Sequence, residues 1–352
     1  MKIIVMGGSF NPPTKAHERI LSAAVEQLQA DMGLFVPVPK GYLKTKMKGT
    51  EHPQEMICEN LRYEMLKAMA SGHPRLAVSD IEFSGNKSGR TREIMDNVQK
   101  LYPEAELYFL VGADKLEMVA AWRRLEDFME KYQIAAVARS GENPAEFIDE
   151  HPTLHPYRDR IAVIDGPQGL EGVSSTAVRD LLREDDPKAE ELVHPGVWKI
   201  LVEKGFVASR AVLVFFNDYY FLSNFYPAEM DYNGLHYLNS ESAFHAEKCM
   251  TQEEKIPFTT MTPADAKRIG HTVPLRPDWE EIKLDLMLDV VREKFRQHPE
   301  LATMLLDTGD KILMEGNNWH DPYWGIDIHT REGDNYLGKI LMQVRQELRD
   351  RQ

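Results

Sequence analysis

Apolar positions in the first half of the chain fall in short runs separated by stretches of helical period. KIIVM, GLFVP, RLAVS, ELYFLVG, QIAAVAR and RIAVI read as strands, and helices are predicted over 16–28, 53–70, 91–101 and around 125–131. The apolar runs are continuous rather than alternating, so both faces of the sheet must be covered. Strand and helix in turn predict an α/β fold with a parallel, doubly wound sheet. Ligands of such sheets sit beyond the carboxyl ends of the strands, which directs attention to the segments just after each strand.

Near residue 207 the pattern changes. A helix over 195–204 ends at Gly205, VASRA reads as a short connection, and VLVFF opens a new strand. Beyond it, helical patterns dominate, over 240–250, 263–269, 277–297 and 337–349, with a strand-like KILMEG before the last. This reads as two domains, 1–206 and 211–352, the second a mainly helical α+β unit. A length of 352 residues lets each bury its own core. No apolar run reaches membrane-spanning length, and the opening MKIIVMGGSF reads as a buried strand rather than a secretion signal. Cys58 and Cys249 fall in different halves and fit no metal spacing, which points to a reduced, cytoplasmic protein. A net charge of −14 argues against general nucleic-acid binding. It leaves nucleotide binding open, since that needs only local cations, backbone N–H groups and usually Mg²⁺.

The first strand runs straight into GGSFNPPTKAH. Gly7, Gly8 and Ser9 then sit between a strand end and a helix start, where backbone can approach phosphate oxygens and the helix dipole favours an anion. His17 follows on the first turns of that helix. A glycine pair alone is more often an ordinary strand–turn–helix corner. The full string resembles the signature of the nicotinate/nicotinamide mononucleotide adenylyltransferases of the HxGH-type nucleotidyltransferase superfamily. Thr14 stands where the bacterial string has its first histidine, and offers only a hydroxyl. Further blocks resemble the family in order: VGAD with a following tryptophan (Gly112, Ala113, Asp114, Trp122), and VSSTAVR at 173–179. Taken singly, Trp122 would be core, SST a helix cap, and Lys44 and Lys46 a solvated loop.

The resemblance covers roughly 1–206 and implies a Rossmann-like fold that joins ATP to a pyridine mononucleotide. It implies ATP contacts at Gly7, Gly8, Ser9, Phe10, Thr14, His17, Ser174, Ser175, Thr176 and Arg179. Lys44, Lys46, Arg62, Asp114 and Trp122 would hold the pyridine nucleotide. Mg²⁺ would come with the ATP phosphates rather than on a protein metal site. A phosphate nucleophile is already anionic at neutral pH, so positioning and charge neutralisation carry such a reaction and no general base is needed.

The second domain carries FLSNFYP (221–227), SESAFHAEKC (240–249), LRPDWEEIKLDLM (275–287), EGNNWHDPYWGID (315–327) and NYLGKILMQVR (335–345). Glu241 and Lys248, seven apart, fall on one helix face, and Asp321 and Trp324 in a loop. Paired carboxyl groups beside stacking tryptophans suit cleavage of a glycosidic bond. Any one of these is ordinarily a surface pair or a packing plug. In order, the blocks resemble the NADAR or YbiA-like family, which handles NAD- and ADP-ribose-related molecules and has members that cleave N-glycosidic bonds. The resemblance implies catalytic roles for Glu241, Lys248 and Asp321, and substrate contacts at Asn224, Trp279 and Trp324. Lys248 could instead attack the anomeric carbon and form a Schiff base. His245 and His271 replace the family's frequent glutamine and arginine. Three readings compete: an N-glycosidase for an ADP-ribose-type product, a hydrolase for an intermediate of riboflavin synthesis, or a sensor of NAD or ADP-ribose. The choice between amide and acid mononucleotide stays open, as does oligomeric state, a homo-oligomer included.

Overall fold

The computed structural model describes residues 1–48, 56–83, 89–138 and 142–351. The chain divides into two compact units, Met1–Leu201 and Val202–Gln352.

The first unit holds six strands, β1 (Lys2–Gly8), β2 (Met32–Pro37), β3 (Leu76–Val78), β4 (Glu106–Gly112), β5 (Gln133–Ala138) and β6 (Ile161–Asp165). They form one sheet in the order β3-β2-β1-β4-β5-β6, parallel throughout. β1 is central, pairing Ile3 with Met32 on one side and with Leu107 on the other. The order reverses between β1 and β4, and the crevice past their carboxyl ends is where such sheets bind ligands.

The helices are α1 (Lys15–Gln27), α2 (Lys40–Met47), α3 (Glu59–Ala70), α4 (Thr91–Leu101), α5 (Leu116–Ala120), α6 (Leu125–Lys131), α7 (Pro144–Glu150), α8 (Ser175–Arg183) and α9 (Pro195–Glu203). Ile3, Val5, Leu34, Val36, Leu107 and Phe109 share a buried cluster with Ile94, Met95 and Val98 of α4. The strand runs are continuous in sequence because their alternate residues serve opposite faces, both covered.

Local differences from the sequence pattern have local causes. α3 begins at Glu59, and residues 53–55 of the expected helix lie outside the described residues, as does Arg139 of QIAAVAR. The segment with Lys44 and Lys46, read as a loop, is the helix α2, which buries Leu43 and Met47. α5, at five residues, escaped the pattern because it shows too little of a helical period, and α7 was also missed.

In the second unit the helices carry the core. They are α10 (Ser240–Ala246), α11 (Gln252–Lys255), α12 (Pro263–Gly270), α13 (Trp279–Gln297), α14 (Pro299–Asp307) and α15 (Tyr336–Arg349). The strands are short: β7 (Ala211–Val212) pairs with β10 (Ile312–Leu313), β11 (Gly316–Asn317) with β12 (Ile326–Asp327), and β8 (Met230–Tyr232) with β9 (Leu235–Tyr237). VLVFF thus contributes one strand residue, Val212, and KILMEG contributes Ile312, Leu313 and Gly316. Phe215 and Met314 are buried outside any strand, whereas Phe216 is exposed. Asn233 and Gly234, both at positive φ (49° and 82°), close the β8–β9 hairpin, the pairing that two-residue turns favour. Val290, Val291 and Phe295 of α13 pack with Leu305 of α14 and Leu341 and Val344 of α15.

Candidate functional sites

In the first unit, the loop after β1 is built from beneath. Phe10 is buried with φ of 46°, a conformation costly for a bulky residue. Its ring packs edge-on to Phe35 at 5.6 Å and to His17 at 5.0 Å. A Cβ on Gly8 would lie 2.9 Å from that ring, so this position has no room for a side chain. Phe10, expected against ATP, is therefore the floor of the loop, and it carries the histidine.

His17 is fixed by the turn that starts α1. The Thr14 backbone N–H donates to His17 Nδ1 at 3.0 Å, and Thr14 Oγ1 lies 2.8 Å from the same nitrogen. A backbone amide cannot accept, so Nδ1 holds a lone pair and the proton of the neutral ring sits on Nε2. Burial, reinforced by the charge of Lys46, pushes the imidazole pKa down to about 4. His17 lines a cavity of about 700 Å³ with Met6, Thr14, Gly112, Asp114, Lys115 and Ser175. At neutral pH it therefore brings a neutral N–H donor to that cavity.

α8 is tied to the same loop. Ser175 Oγ donates to the Pro12 carbonyl at 2.7 Å, and Arg179 Nη1 donates to the Asn11 carbonyl at 2.7 Å. Thr176 Oγ1 accepts from Arg179 Nη2 at 3.2 Å, and Ser174 Oγ caps the helix by accepting from the Ala177 N–H at 3.1 Å. Met6 of β1, His17, and Ser174 and Ser175 at the start of α8 line one hollow, whereas Gly7, Gly8, Ser9, Phe10, Thr176 and Arg179 lie outside its lining. Three of the hydroxyls expected on phosphate have these protein partners.

Lys46 Nζ donates to Ser9 Oγ at 3.2 Å, and burial with the charges of Arg179 and Lys115 lowers its pKa. Lys46 thus has two further cations, Arg179 and Lys115, near enough to oppose its charge, the setting an anion relieves. Lys115, which also pairs with Asp114 at 3.0 Å, went unnoticed in the sequence although it directly follows VGAD.

Besides Phe10, Arg62, Trp122 and Lys44 differ from expectation. Arg62 is fully buried and donates to the carbonyls of Ser9 (2.8 Å), Val38 (2.8 Å) and Ile57 (3.2 Å). It clamps the loop from behind and does not face a nucleotide. Trp122 packs its ring against Phe128 at 5.1 Å and Phe109 at 6.3 Å, outside the cavity lining, as is the exposed Lys44.

The second unit encloses a cavity of about 910 Å³ whose lining includes Asn224, Glu241, Lys248, Trp279, Asp321 and Trp324. All six residues singled out from the second domain's motifs thus share one cavity. α10 starts where Asn239 Oδ1 accepts the Ser242 N–H at 2.8 Å, and its first and second turns present Glu241 and His245, joined at 3.1 Å. The helix ends at Ala246, not at Met250. The Lys248 and Cys249 amides reach back only three residues, so the chain tightens into a turn that carries Lys248.

Lys248 Nζ donates to the Gly270 carbonyl at 2.9 Å and lies 5.4 Å from the Trp279 ring centre. Burial lowers its pKa, Glu241 opposing and Lys267 assisting. A Cβ on Gly270 would meet His245 Nδ1 at 2.2 Å, so glycine is required there. Burial also lowers the His245 pKa against the pull of Glu241. Asp321 Oδ1 accepts the N–H groups of Tyr323 (3.2 Å) and Trp324 (3.1 Å), which fixes the carboxylate and the loop together. The buried Asn224 Oδ1 has no hydrogen-bond partner among the described residues.

Sequence reading missed Glu315, Lys267, Lys283 and Trp319 on this lining. Trp319, 49% exposed, belongs to the Trp- and Asn-rich segment that was singled out, and Glu315 opens it. Carboxyls, amines and aromatic faces in one hollow can hold an anionic ligand with a planar ring and move a proton on it.

Comparison with known proteins gives two separate matches. The cytidylyltransferase-like family model matches residues 5–181, and that of the NADAR domain residues 212–349. A probable nicotinate-nucleotide adenylyltransferase of Carboxydothermus hydrogenoformans is 34% identical over 188 residues, spanning 53% of this chain and 88% of the relative. Among solved structures, the Escherichia coli protein YbiA is 32% identical, with 40% of this chain and 87% of that one covered and a TM-score of 0.37. The nicotinic acid mononucleotide adenylyltransferase of Plasmodium falciparum complexed with NaAD is 18% identical, with 58% and 96% covered and a TM-score of 0.44. Among the described residues, no helix is long and apolar enough to cross a membrane.

Proposed function

Because the chain belongs to the cytidylyltransferase-like family through its first unit and carries a NADAR domain in its second, we propose a bifunctional enzyme of pyridine nucleotide metabolism. The first unit is an adenylyltransferase, and its substrate in this reading is nicotinate mononucleotide, the acid named for the curated relatives. The 5′-phosphate of the mononucleotide attacks the α-phosphorus of ATP, and pyrophosphate leaves.

The observation that carries this reading is the tautomer of His17. With Nδ1 held by the Thr14 amide, Nε2–H is a preorganised donor to α-phosphate oxygens as charge builds on them. Lys46, Lys115 and Arg179 supply the counter-charge for the triphosphate. Asp114 and Glu171 are carboxylates on the cavity lining, hard oxygen donors that suit Mg²⁺ riding on the phosphates. When bound, Mg²⁺ would neutralise the pyrophosphate as it departs.

For the second unit we read hydrolysis of an N-glycosidic bond in a phosphate-bearing, ADP-ribose-type substrate. Support comes from the single cavity that gathers Glu241, Asp321, Lys248 and the aromatic faces of Trp279 and Trp324. A carboxylate there can stabilise an oxocarbenium ion or activate water, and the amines can hold phosphate.

The first reading is tested by following pyrophosphate release from purified protein with ATP, Mg²⁺ and each pyridine mononucleotide. His17→Ala should lower turnover by about 10²–10³ while ATP still binds, the range for loss of one preorganised oxyanion donor. Near-normal turnover in that variant refutes the role given to His17. Glu241→Gln separates an enzyme from a sensor in the second unit. An enzyme loses base release and leaves pyrophosphate release unchanged, whereas a sensor changes only the response of the first unit to NAD.

A further inference from the structure

Glu315 is a carboxyl group of the second cavity to which neither the motifs nor the reading above gives a part. Its backbone is pinned: its N–H donates to Asn335 Oδ1 at 3.1 Å, and its carbonyl accepts the Ile326 N–H at 3.0 Å. The side chain lines the cavity. Among the described residues no hydrogen bond or ion pair reaches its carboxyl oxygens. The charged groups acting on it come from three directions: Glu241 from α10, Asp321 from the loop after β11, and Lys267 from α12. Lys248 and His245 line the same cavity. Two carboxylates and low solvent access outweigh one amine, and burial followed by those two charges pushes the Glu315 pKa up to about 8. At neutral pH Glu315 keeps its proton; Asp321 Oδ1 accepts two backbone N–H groups, and Glu241 Oε1 lies 3.1 Å from His245 Nε2. Carboxyl groups set apart in this way by their surroundings divide the roles of acid and base.

We propose that Glu315 is the proton donor of the second site, giving its proton to the nitrogen that leaves C1′ when the base is neutral in the glycoside. The inference rests on the N-glycosidase reading. In the step, the C1′–N bond breaks with its electron pair passing to nitrogen, and the Glu315 carboxyl gives that nitrogen its proton. A water oxygen bonds to C1′, and Glu241 takes the proton that water loses. The sum is glycoside plus water giving a free sugar hydroxyl and a free base with a new N–H. The proton on Glu241 then returns to Glu315 through solvent. A neutral base would otherwise leave as an anion, so it needs the donor. A pyridinium nitrogen, as in NAD, leaves as a neutral molecule and needs none.

The test uses the full chain, a series of purine and aminopyrimidine N-ribosyl 5′-phosphates of graded leaving-group basicity, and NAD, with release of base as the readout. If the wild-type protein frees base from none of these, the N-glycosidase reading itself fails. If it does free base, Glu315→Gln should lower kcat on neutral-base substrates by about 10²–10³ with KM within about threefold, in the range general acids supply. The deficit should grow with the basicity of the leaving nitrogen, and the fall in kcat that wild type shows above about pH 8 should vanish. Glu315→Asp should recover part of the loss. Should the variants fold poorly, the wild-type fall in kcat above pH 8 on neutral bases still tests the proposal. A deficit equal across the series and NAD, a variant within tenfold of wild type, or a wild-type profile flat through pH 9 overturns it.

Discussion

Arg62→Met removes a cation that was expected on the nucleotide and is found behind the loop that holds it. Methionine is long enough to fill much of the same space. It leaves the carbonyls of Ser9, Val38 and Ile57 without the donors that now reach them at 2.8 to 3.2 Å. A buried acceptor left unsatisfied costs about 2 kcal/mol, so the three together cost about 6. Against this, the guanidinium is itself poorly placed, its pKa pushed down from 12.5 to about 10, chiefly by burial. Removing it recovers about 3 kcal/mol. The net expectation is a loss of about 3 kcal/mol, or a fall of roughly 6–12 °C in the unfolding midpoint of a unit this size. Hydrogen exchange on the full chain should show the loss around α3 and the loop after β1, with the second unit unchanged. Well below the midpoint, KM for ATP and for the mononucleotide should stay within about threefold of wild type. An unchanged midpoint combined with more than tenfold weaker mononucleotide binding would refute the clamp and return Arg62 to the ligand.

Two further predictions concern pH. The imidazole of His17 is held neutral down to about pH 4, while the unfolded chain takes up its proton near 6.5. Stability is therefore lost as pH falls through that window, by up to about 3 kcal/mol, and His17→Gln should flatten this slope in urea unfolding between pH 4 and 6.5. Pyrophosphate release should likewise show no ionisation near pH 6.5 assignable to His17. Lys294 is buried, donates to the carbonyls of Phe221 and Ser223, and has its pKa lowered to about 7 by burial. Its unfolded pKa of 10.5 means that stability present above pH 10.5 is lost as pH falls to 7. Lys294→Met should remove that dependence, on the order of 4 kcal/mol, from the slowest-exchanging amides of α13. An equal slope in variant and wild type would show that the amine reaches water.

Much of the first fold was legible because its signals are local. A buried parallel strand needs a run of apolar residues, and an amphipathic helix repeats within two turns, so KIIVM and the helix after it are apparent without knowing their neighbours. The doubly wound sheet found here is the one those signals imply. The motifs after strand ends were readable for the same reason. Elements as short as α5 and the two-residue strands of the second unit lie below what periodicity can resolve.

The sequence by itself determined which residue types stand at each strand tip, and therefore that a phosphate-binding loop and a carboxyl- and tryptophan-lined hollow were available. Tertiary structure alone decided what each polar group faces. Arg62 meets the carbonyl of Ser9 53 positions away, and Arg179 meets that of Asn11 168 positions away. Glu315 shares its hollow with Glu241 and Asp321 although Glu241 lies far back along the chain. Charge state, hydrogen-bond partner and solvent access are set by neighbours in space, and no local pattern encodes them.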